Sequence, residues 1–363
     1  MNAPPRHAAA PCGRLFLLGL LAFAPAFAAE PAPGGSQSPA RWSDLFRTSA
    51  ISLVSENDKY FAGSDRHYTN GLRLSFLGDT RVDESPALVQ KIAEYVPTLH
   101  GAAARLQTYK VGVSLGQNIY TPADIGTVNP PPDDRPYAGW LYGALTFQAQ
   151  SADARLLRVV EISLGVVGPG ALGRQAQNRV HQFLGIPSAN GWDHQLHNEP
   201  GLILSWERRY RVGKINLPVA GLQSDLVARG GLSLGNIRTN LTTGLAVRAG
   251  WWLPPDFGAD LIRPAAGSVA SSPRFSAYAF ASTEARLVAR DIFLDGNTWR
   301  ASPSVNKRPL VADLNVGFVL RLPVDSPHLE AVQLTYTQNY RTKEFYGQLR
   351  RDVFGSLGLS LFF

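Results

Sequence analysis

The C-terminal stretch "FGSLGLSLFF", residues 354–363, decides the fold. Its apolar side chains recur at every second position, with glycine, serine and phenylalanine between them; they are Leu357, Leu359, Leu361 and Phe363. A period of two places these side chains on one face of a β-strand. The stretch therefore predicts a strand with one strongly apolar face, and the rest of the chain indicates what that face contacts.

The same alternation appears in long segments upstream. In "LVADLNVGFVLRL", residues 310–322, Leu314 and Phe318 lie on the apolar face, and Asp313 and Asn315 lie on the opposite one. An apolar face opposite a polar or glycine face, repeated over long strands, is the inverse of a soluble core and is typical of transmembrane barrels. A last strand that stops at an aromatic residue also resembles the assembly signal of bacterial outer-membrane barrels. The alternative is a soluble lipocalin-like barrel or sandwich.

We predict an all-β fold, a twelve-stranded antiparallel transmembrane β-barrel with a short helix in an extracellular loop; an even strand count is expected of a bacterial barrel. If the first strand rises from the periplasm, the loops after odd-numbered strands lie outside the cell. The predicted strands are 48–57, 67–78, 106–117, 137–150, 155–167, 199–211, 220–235, 241–252, 275–290, 309–322, 330–341 and 350–363.

The start of the chain is predicted to be a secretory signal peptide. A basic start precedes the short apolar segment Leu15–Phe23, and residues 26–28, "AFA", form a small-x-small cleavage site. The apolar segment is too short to span a membrane as a helix. The predicted division is a signal peptide at 1–28, an N-terminal leader at 29–47 and an outer-membrane barrel at 48–363.

The amino-acid composition limits the kinds of cross-link and nucleophile that the protein can use. The one cysteine of the chain, Cys12, lies inside the predicted signal peptide. A disulfide framework and a thiol nucleophile are therefore excluded from the predicted mature protein. The formal net charge of +7 suits an anionic partner without identifying it.

Polar residues gather at one end of the first predicted hairpin, in "SENDKYFAGSDRHYTNGL", residues 55–72. Asn57 and Asp58 end its first strand, and Thr69 lies near the start of its second. Turn chemistry alone would explain such residues. Alternatively, they supply an amide, a carboxylate and a hydroxyl to a site at the extracellular rim.

The third predicted outer loop, residues 168–198, carries the second candidate group. Residues 172–184 predict a helix that is ended by Gly185. Gln177 and His181 lie four residues apart on this helix and therefore share a face. Strand parity places the loop at the same rim as the first hairpin. A candidate base would then lie at one rim with a carboxylate and with donors for an oxyanion.

These residues stand within a longer series of motifs that resembles a known family. The motifs are "SENDKYF", "DRHYTNGL", "GQNIYTP", "DRPYAGW", "GVVGPGALGRQAQNRVHQFLG", "GWDHQLHNEP" and "RTKEFYGQ". Their order over nearly the whole predicted mature chain is similar to that of the outer-membrane lipid A 3′-O-deacylases. The resemblance implies a twelve-stranded barrel that removes, with calcium, the acyl chain at the 3′ position of lipid A.

The resemblance also implies roles for individual residues. His181 would be the base that activates water, and Asp58 would lie at the Ca²⁺ ion. Asn57 would stabilise the oxyanion together with Ca²⁺. Thr69 matches the hydroxyl of the family's second strand, and Gln177 and His181 match the family's helix residues.

The chain departs from the family pattern at two places. Some members carry a lysine in the second outer loop, whereas residues 122–133, "PADIGTVNPPPD", contain no basic residue. Some members also carry a glutamate shortly after the helix histidine, where this chain has residues 186–188, "IPS". These departures concern the phosphate contacts and the calcium ligands.

The predicted partners follow from the same resemblance. They are lipid A or lipopolysaccharide in the outer leaflet, the surrounding membrane, and the barrel assembly machinery; no nucleic-acid partner is expected. Two other functions fit the sequence: an outer-membrane phospholipid acyl hydrolase, and a non-enzymatic narrow barrel or porin. A porin would spread charge along its lumen, whereas the candidate residues here gather at one rim.

Overall fold

The computed structural model describes residues 50–60, 67–79, 87, 91, 106–258, 261–262 and 274–363. The predicted signal peptide and leader lie outside these residues. The part described is a closed antiparallel barrel in which each strand pairs with its neighbours in sequence and the last strand pairs with the first. The predicted fold class is therefore confirmed.

The barrel has twelve strands. Their bounds are β1 Ala50–Asn57, β2 His67–Asp79, β3 Leu106–Thr121, β4 Ala138–Ser151, β5 Leu156–Val167, β6 Glu199–Asn216, β7 Leu222–Gly235, β8 Arg238–Trp251, β9 Ser276–Asp291, β10 Leu310–Pro323, β11 Ala331–Arg341 and β12 Asp352–Phe362. We call the end of the barrel where β1, β3 and β5 end the upper rim.

The seam between β1 and β12 closes the barrel. Leu53 pairs with Leu359, and Ser52 pairs with Ser360 in the neighbouring position. The hydroxyl oxygens of the two serines are 2.8 Å apart and form a hydrogen bond. The seam is thus a regular ladder, with one apolar and one polar face like the rest of the wall.

One surface of the wall carries exposed apolar side chains from most of the strands, which we call the lipid-facing band. Alternation along each strand directs these side chains away from the lumen. Exposed aliphatic side chains of this kind are what a barrel presents to the hydrocarbon of a bilayer. The band includes Leu53, Leu72, Leu115, Leu164, Leu202, Leu241, Leu287, Leu314, Phe318 and Leu357.

The opposite surface, facing the lumen, is rich in buried ion pairs. Arg73 Nη2 lies 2.6 Å from Glu161 Oε2, which joins β2 to β5. Asp313 on β10 accepts hydrogen bonds from Arg286 on β9 and from Arg341 on β11. Buried charges are tolerated when they are paired and hydrogen-bonded in this way. The lumen is therefore filled with linked polar side chains.

The connection between β8 and β9 contributes backbone groups to the lumen. The Asp256 carbonyl accepts a hydrogen bond from Arg211 Nη2 at 2.5 Å. Farther along, Ile262 N donates to Glu56 Oε1 at 2.8 Å. Glu56 lies one residue before the upper end of β1. The described residues of the connection therefore contact the lumen both near the lower end of β8 and at the level of Glu56.

Residues 106–258 and 274–363 contain two α-helices, α1, Gly173–Leu184, and the short α2, Ile292–Asp295. Two 3-10 turns, Pro169–Ala171 and Trp192–His194, flank α1. Gly185 ends α1 with φ 68°, a left-handed conformation that glycine adopts without strain. The predicted helix and its glycine stop are confirmed. Within the described residues, no helix has the length and apolar character that a membrane crossing requires.

Candidate active site

A β-bulge aims Thr69 away from the lumen. The pairing of β2 with β3 shifts between Tyr68 and Asn70, so Thr69 is the extra residue. Tyr68 points inward and donates its hydroxyl to Glu56 Oε2 at 2.8 Å. The extra residue interrupts the regular alternation of side chains, so Thr69 can point away from the lumen. Thr69 Oγ1 accordingly lies 2.7 Å from Thr121 Oγ1, on the lipid-facing side of β3.

Asn57 and Asp58 lie at the same end of the hairpin. Asn57 is the last residue of β1 and pairs with Asn70, next to the bulge. It shares its strand face with the exposed Leu53, so it lies on the lipid-facing surface of the wall. Its Oδ1 accepts a hydrogen bond from Lys59 N at 2.7 Å, which fixes the amide orientation. Asp58 follows in the turn and is 2% exposed.

Helix α1 and its flanking turns cover the lipid-facing surface of β3 at the upper rim. Leu115 and Ile119 lie on the same face of β3, yet the first is 59% exposed and the second 2%. Ile119 packs with Tyr137 of the β3–β4 loop and with Ala189 and Trp192 of the loop after α1. The helix therefore lies against the wall from the lipid side, not over the lumen.

Two contacts just before α1 fix this position. Gln117 Nε2, two residues above Leu115 on the same face, donates to the Ala171 carbonyl at 2.6 Å. On β4, a Cβ added at Gly139 would meet Ala171 Cβ at 3.0 Å and Gly173 N at 3.3 Å. The absence of a side chain at Gly139 thus lets the start of α1 approach the wall closely.

The predicted polar face of α1 is buried. Gln177 and His181 are each 4% exposed. Trp192 Nε1 donates to Gln177 Oε1 at 2.8 Å, and Trp192 packs on Tyr137 with ring centroids 4.9 Å apart. Within the described part of the chain, Gln177 Nε2 is a buried donor with no hydrogen-bond partner. A buried donor of this kind is suited to an acceptor that arrives with a ligand.

The His181 ring is held by a backbone carbonyl. Its Nδ1 lies 2.7 Å from the Pro187 carbonyl oxygen. A carbonyl can only accept, so Nδ1 carries the proton in the neutral ring and Nε2 carries the lone pair. Pro187 lies in the segment 186–188, "IPS", where some members of the family that the sequence resembles have glutamate. In this chain that segment orients the histidine through its backbone.

The loop after α1 is tied to the helix and to the loop between β3 and β4. Ala189 N donates to Asn178 Oδ1 at 3.0 Å, and Asn190 N donates to the Ile125 carbonyl at 2.9 Å. Arg174 and Asp193 add an exposed ion pair at 2.7 Å, which contributes little stability. These bonds hold the Gln177–His181 face in place against the wall.

All five predicted site residues lie at the upper rim, in two groups. Asn57, Asp58 and Thr69 belong to the first hairpin, and Gln177 and His181 belong to α1. Strand β3 connects the groups, because Thr121 bonds to Thr69 and Ile119 lies beneath the loops that flank α1. The arrangement can offer a base, amide donors and a carboxylate to a molecule that approaches from the lipid side.

A second histidine at this rim was not predicted as a functional residue. His67 Nδ1 lies 2.6 Å from Asp352 Oδ1, and His67 Nε2 lies 3.4 Å from Asp134 Oδ1. Burial alone would raise the Asp134 pKa, but the hydrogen bonds from His67 and from the Ala123 and Arg135 amides hold it below its ordinary value. This cluster joins β2, the β3–β4 loop and β12.

An ion pair links two upper loops beside this cluster. Arg135 Nη2 lies 2.8 Å from Glu344 Oε2, and both side chains are buried. Burial tends to raise the Glu344 pKa, but Arg135 and Arg341 lower it to about 2. Such pairs join residues far apart in sequence, so no local pattern could have indicated them.

Comparison with known proteins adds to this geometry. The family model described as "Outer membrane protein LpxR" matches residues 15–363. The solved structure "LpxR from Salmonella typhimurium" superposes with a TM-score of 0.67 at 20% identity, covering 87% of this chain and 100% of that one. The β-domain of the Bordetella autotransporter BrkA gives a TM-score of 0.42 at 12% identity over 86% of this chain and 97% of that one. No curated protein sequence matches the chain.

Proposed function

The chain belongs to the LpxR family of outer membrane proteins, and from this premise we propose that it is a calcium-dependent lipid A 3′-O-deacylase. The observation that carries the proposal is the buried Gln177–His181 face of α1, which lies against the lipid-facing surface of the wall. An ester hydrolase acting on a membrane lipid needs its base on that side. A porin would need an open lumen, whereas this lumen holds ion pairs and backbone from the β8–β9 connection.

His181 supplies the base in this proposal. Its Nε2 takes a proton from a water molecule while the water oxygen bonds to the ester carbonyl carbon. Donation from Nδ1 to the Pro187 carbonyl keeps the ring in the tautomer that leaves Nε2 basic. No serine or cysteine nucleophile is required.

Two amides would stabilise the charge that develops on the carbonyl oxygen. Gln177 Nε2 is the buried donor described above, and its partner oxygen Oε1 is already fixed by Trp192. Asn57 Oδ1 is fixed by Lys59 N, so its amide nitrogen is presented as a donor. Donors that are positioned before the reaction stabilise an oxyanion without reorganisation.

Collapse of the tetrahedral intermediate completes the reaction. The bond between the acyl carbon and the sugar oxygen breaks, and protonated His181 gives its proton to the departing sugar oxygen. The products are a free fatty acid and a lipid A with one more hydroxyl group. The hydroxyl and proton of one water molecule are thereby divided between acid and alcohol.

The oxygen ligands available at the first hairpin fit one type of calcium site. Asp58 is a buried carboxylate, and its neighbour Asn57 pairs with Asn70, the residue that follows Thr69 in the hairpin. Among residues that the structure describes, no three His, Cys, Asp or Glu side chains form a metal cluster. The set therefore suits Ca²⁺ held by one carboxylate with carbonyl, hydroxyl and water oxygens. When bound, the ion would polarise the ester carbonyl.

The test is the mass of lipid A before and after exposure to the purified protein in detergent micelles. We expect the loss of one ester-linked acyl chain, with release of the corresponding fatty acid, in the presence of Ca²⁺. Chelation should stop the release, and added Ca²⁺ should restore it.

A parallel sample of phospholipid separates this proposal from its alternative. Fatty acid released from phospholipid but not from lipid A would identify a phospholipid acyl hydrolase. Release from neither substrate by a folded barrel would contradict both enzymatic functions.

A further inference from the structure

One flank of α1 carries large apolar side chains that the protein does not cover. Val180, Phe183 and Leu184 are 48%, 88% and 58% exposed. At about 100° per residue, this flank adjoins the face of Gln177 and His181. The remaining surface of the helix is polar and carries Gln175, Arg179 and Gln182.

The helix that carries this flank begins at the upper edge of the lipid-facing band. On β3, Leu115 is exposed, and Gln117, two residues higher on the same face, already contacts the segment before α1. On β5, Leu164 is 59% exposed, and two residues higher Val166 meets the chain at Gly170. Two residues of a strand rise about 7 Å. The segment that leads into the helix therefore lies just above the exposed part of the band, on the same side of the wall.

We propose that α1 is an interfacial helix, whose flank Val180–Phe183–Leu184 lies in the hydrocarbon of the adjacent membrane leaflet. A helix with one apolar side and a polar opposite side, held at the level where a bilayer changes from acyl chains to headgroups, has the properties of an interfacial helix. The occupant of the flank is therefore lipid acyl chains. The argument for this occupant is that the helix carrying the flank lies against the lipid-facing side of the wall and starts where the lipid-facing band ends.

This placement has a consequence that rests on the proposed function. An acyl chain in contact with the flank remains in hydrocarbon while its ester group reaches the His181 face beside it. The substrate would therefore be bound from within the leaflet, without extraction into water.

The depth of the flank can be measured directly with nitroxide labels. Cys12 is the single cysteine of the chain, so a Cys12→Ser background gives labels at chosen positions only. Phe183→Cys reports on the flank, Gln182→Cys on the polar side of the same helix, and Leu164→Cys on the lipid-facing band. Each labelled protein is reconstituted into phospholipid vesicles. The frequency with which the nitroxide collides with oxygen is then compared with the frequency with which it collides with a water-soluble nickel chelate.

We expect the Phe183 label to favour oxygen over the nickel chelate to nearly the same extent as the Leu164 label. The Gln182 label should favour the nickel chelate. A Phe183 label with the accessibility of the Gln182 label would overturn the proposal. Leu184→Cys provides a second position on the flank and decides the question if the Phe183 variant does not insert.

The measurement involves no turnover, so it separates the two proposals. A flank that lies in hydrocarbon in a protein that leaves lipid A unchanged would refute the proposed function alone. A water-exposed flank in an active deacylase would refute the interfacial helix alone.

Discussion

At the scale of single residues, the candidate base is oriented by a main-chain atom. The Pro187 carbonyl accepts from His181 Nδ1 at 2.7 Å. Any residue at position 187 supplies such a carbonyl, provided that the loop keeps its path. The path is fixed by Ala189, whose amide bonds to Asn178 on the helix. The ring orientation is therefore a property of the loop as a whole.

Replacing His181 with alanine should lower deacylation by about 10² to 10⁴, the usual contribution of a general base. The variant should still insert and migrate on a denaturing gel as a folded barrel, because the residue lies on α1 and makes no strand pairing. Fatty acid release from lipid A is the measurement. Gln182→Ala, an exposed position on the same helix, is the matched control and should retain activity. Parent-level activity in folded His181→Ala would contradict the proposed mechanism.

Replacing Gln177 with glutamate tests the proposed oxyanion donor. Glutamate keeps an oxygen for Trp192 Nε1 but replaces the buried Nε2 donor with a second oxygen. We expect turnover to fall by about 10² to 10³, as for the loss of one oxyanion-hole donor. Gln175→Glu makes the same chemical change at an exposed position on α1. Equal activity of the two variants would remove Gln177 from the mechanism.

The sequence predicted which side chains gather at the rim but not how they are aimed. Gln177 and His181 were placed on one face of α1 by helical spacing, and the structure has that face buried. Thr69 was predicted as a rim hydroxyl, yet its orientation toward the lipid side depends on the bulge after Tyr68. A bulge is a property of the pairing between two strands, so one strand's sequence does not reveal it.

At the scale of secondary-structure elements, the contact between α1 and the wall positions two of the five candidate site residues, Gln177 and His181. Alternation predicted the strands well, because most of the wall separates lipid from a polar lumen. It failed at the upper end of β3, which runs to Thr121 instead of residue 117. There, Ile119 is covered by the loops around α1, so the face is no longer bounded by lipid. Strand β6 also runs beyond its predicted end at residue 211, as far as Asn216, and residues 212–216 are exposed.

Gly139→Val should displace α1 from the wall. A Cβ at Gly139 would meet Ala171 Cβ at 3.0 Å, and overpacking of this kind costs about 1 to 3 kcal/mol. Because the displaced helix carries Gln177 and His181, we expect a large loss of deacylation in a barrel that still forms. Gly143→Val is the matched control on the same face of β4, where the nearest atom to an added Cβ is Ser114 O at 3.9 Å.

Comparing the two glycine variants tests the contact and not the general effect of a larger residue. Lipid A mass gives the activity, and heat-modifiable gel migration gives the folding. If Gly139→Val retains full activity, close approach of the helix to the wall is not needed for catalysis. If both variants lose activity equally, the effect belongs to β4 rather than to α1.

At the scale of the whole molecule, ion pairs join parts of the barrel that are distant in sequence. Asp313 is shared between two arginines from neighbouring strands, and Arg135 and Glu344 connect two upper loops. The sequence predicted the polar character of the lumen from alternation but not its pairing. Pairing depends on which strands become neighbours and on their register, and the extension of the β8–β9 connection into the lumen had no local signal.

The Arg135–Glu344 pair should make the upper loops sensitive to acid. The Glu344 pKa is lowered from 4.5 to about 2 in the folded protein. Its carboxylate therefore stabilises the fold fully above about pH 4.5, and this contribution is lost as the pH falls toward 2. Glu344→Gln should lower the unfolding temperature at pH 7, and its difference from the parent should shrink as the pH approaches 2.

Thermal unfolding followed by circular dichroism in detergent at several pH values measures this effect. Asp193→Asn is the control, because the Arg174–Asp193 pair is largely exposed and should contribute little at any pH. A constant difference between Glu344→Gln and the parent from pH 7 to pH 2 would show that charge pairing is not the cause.

The seam between β1 and β12 has a consequence for when the protein becomes active. Asn57 is bonded on one side by β2 and on the other by β12, where it pairs with Gly355. Asp352, at the start of β12, also holds His67 at the start of β2. Until the last strand docks onto the first, the hydrogen bonds that β12 makes to the first hairpin are missing. On the proposed function, the newly made polypeptide would therefore become able to hydrolyse its substrate only when the cylinder closes.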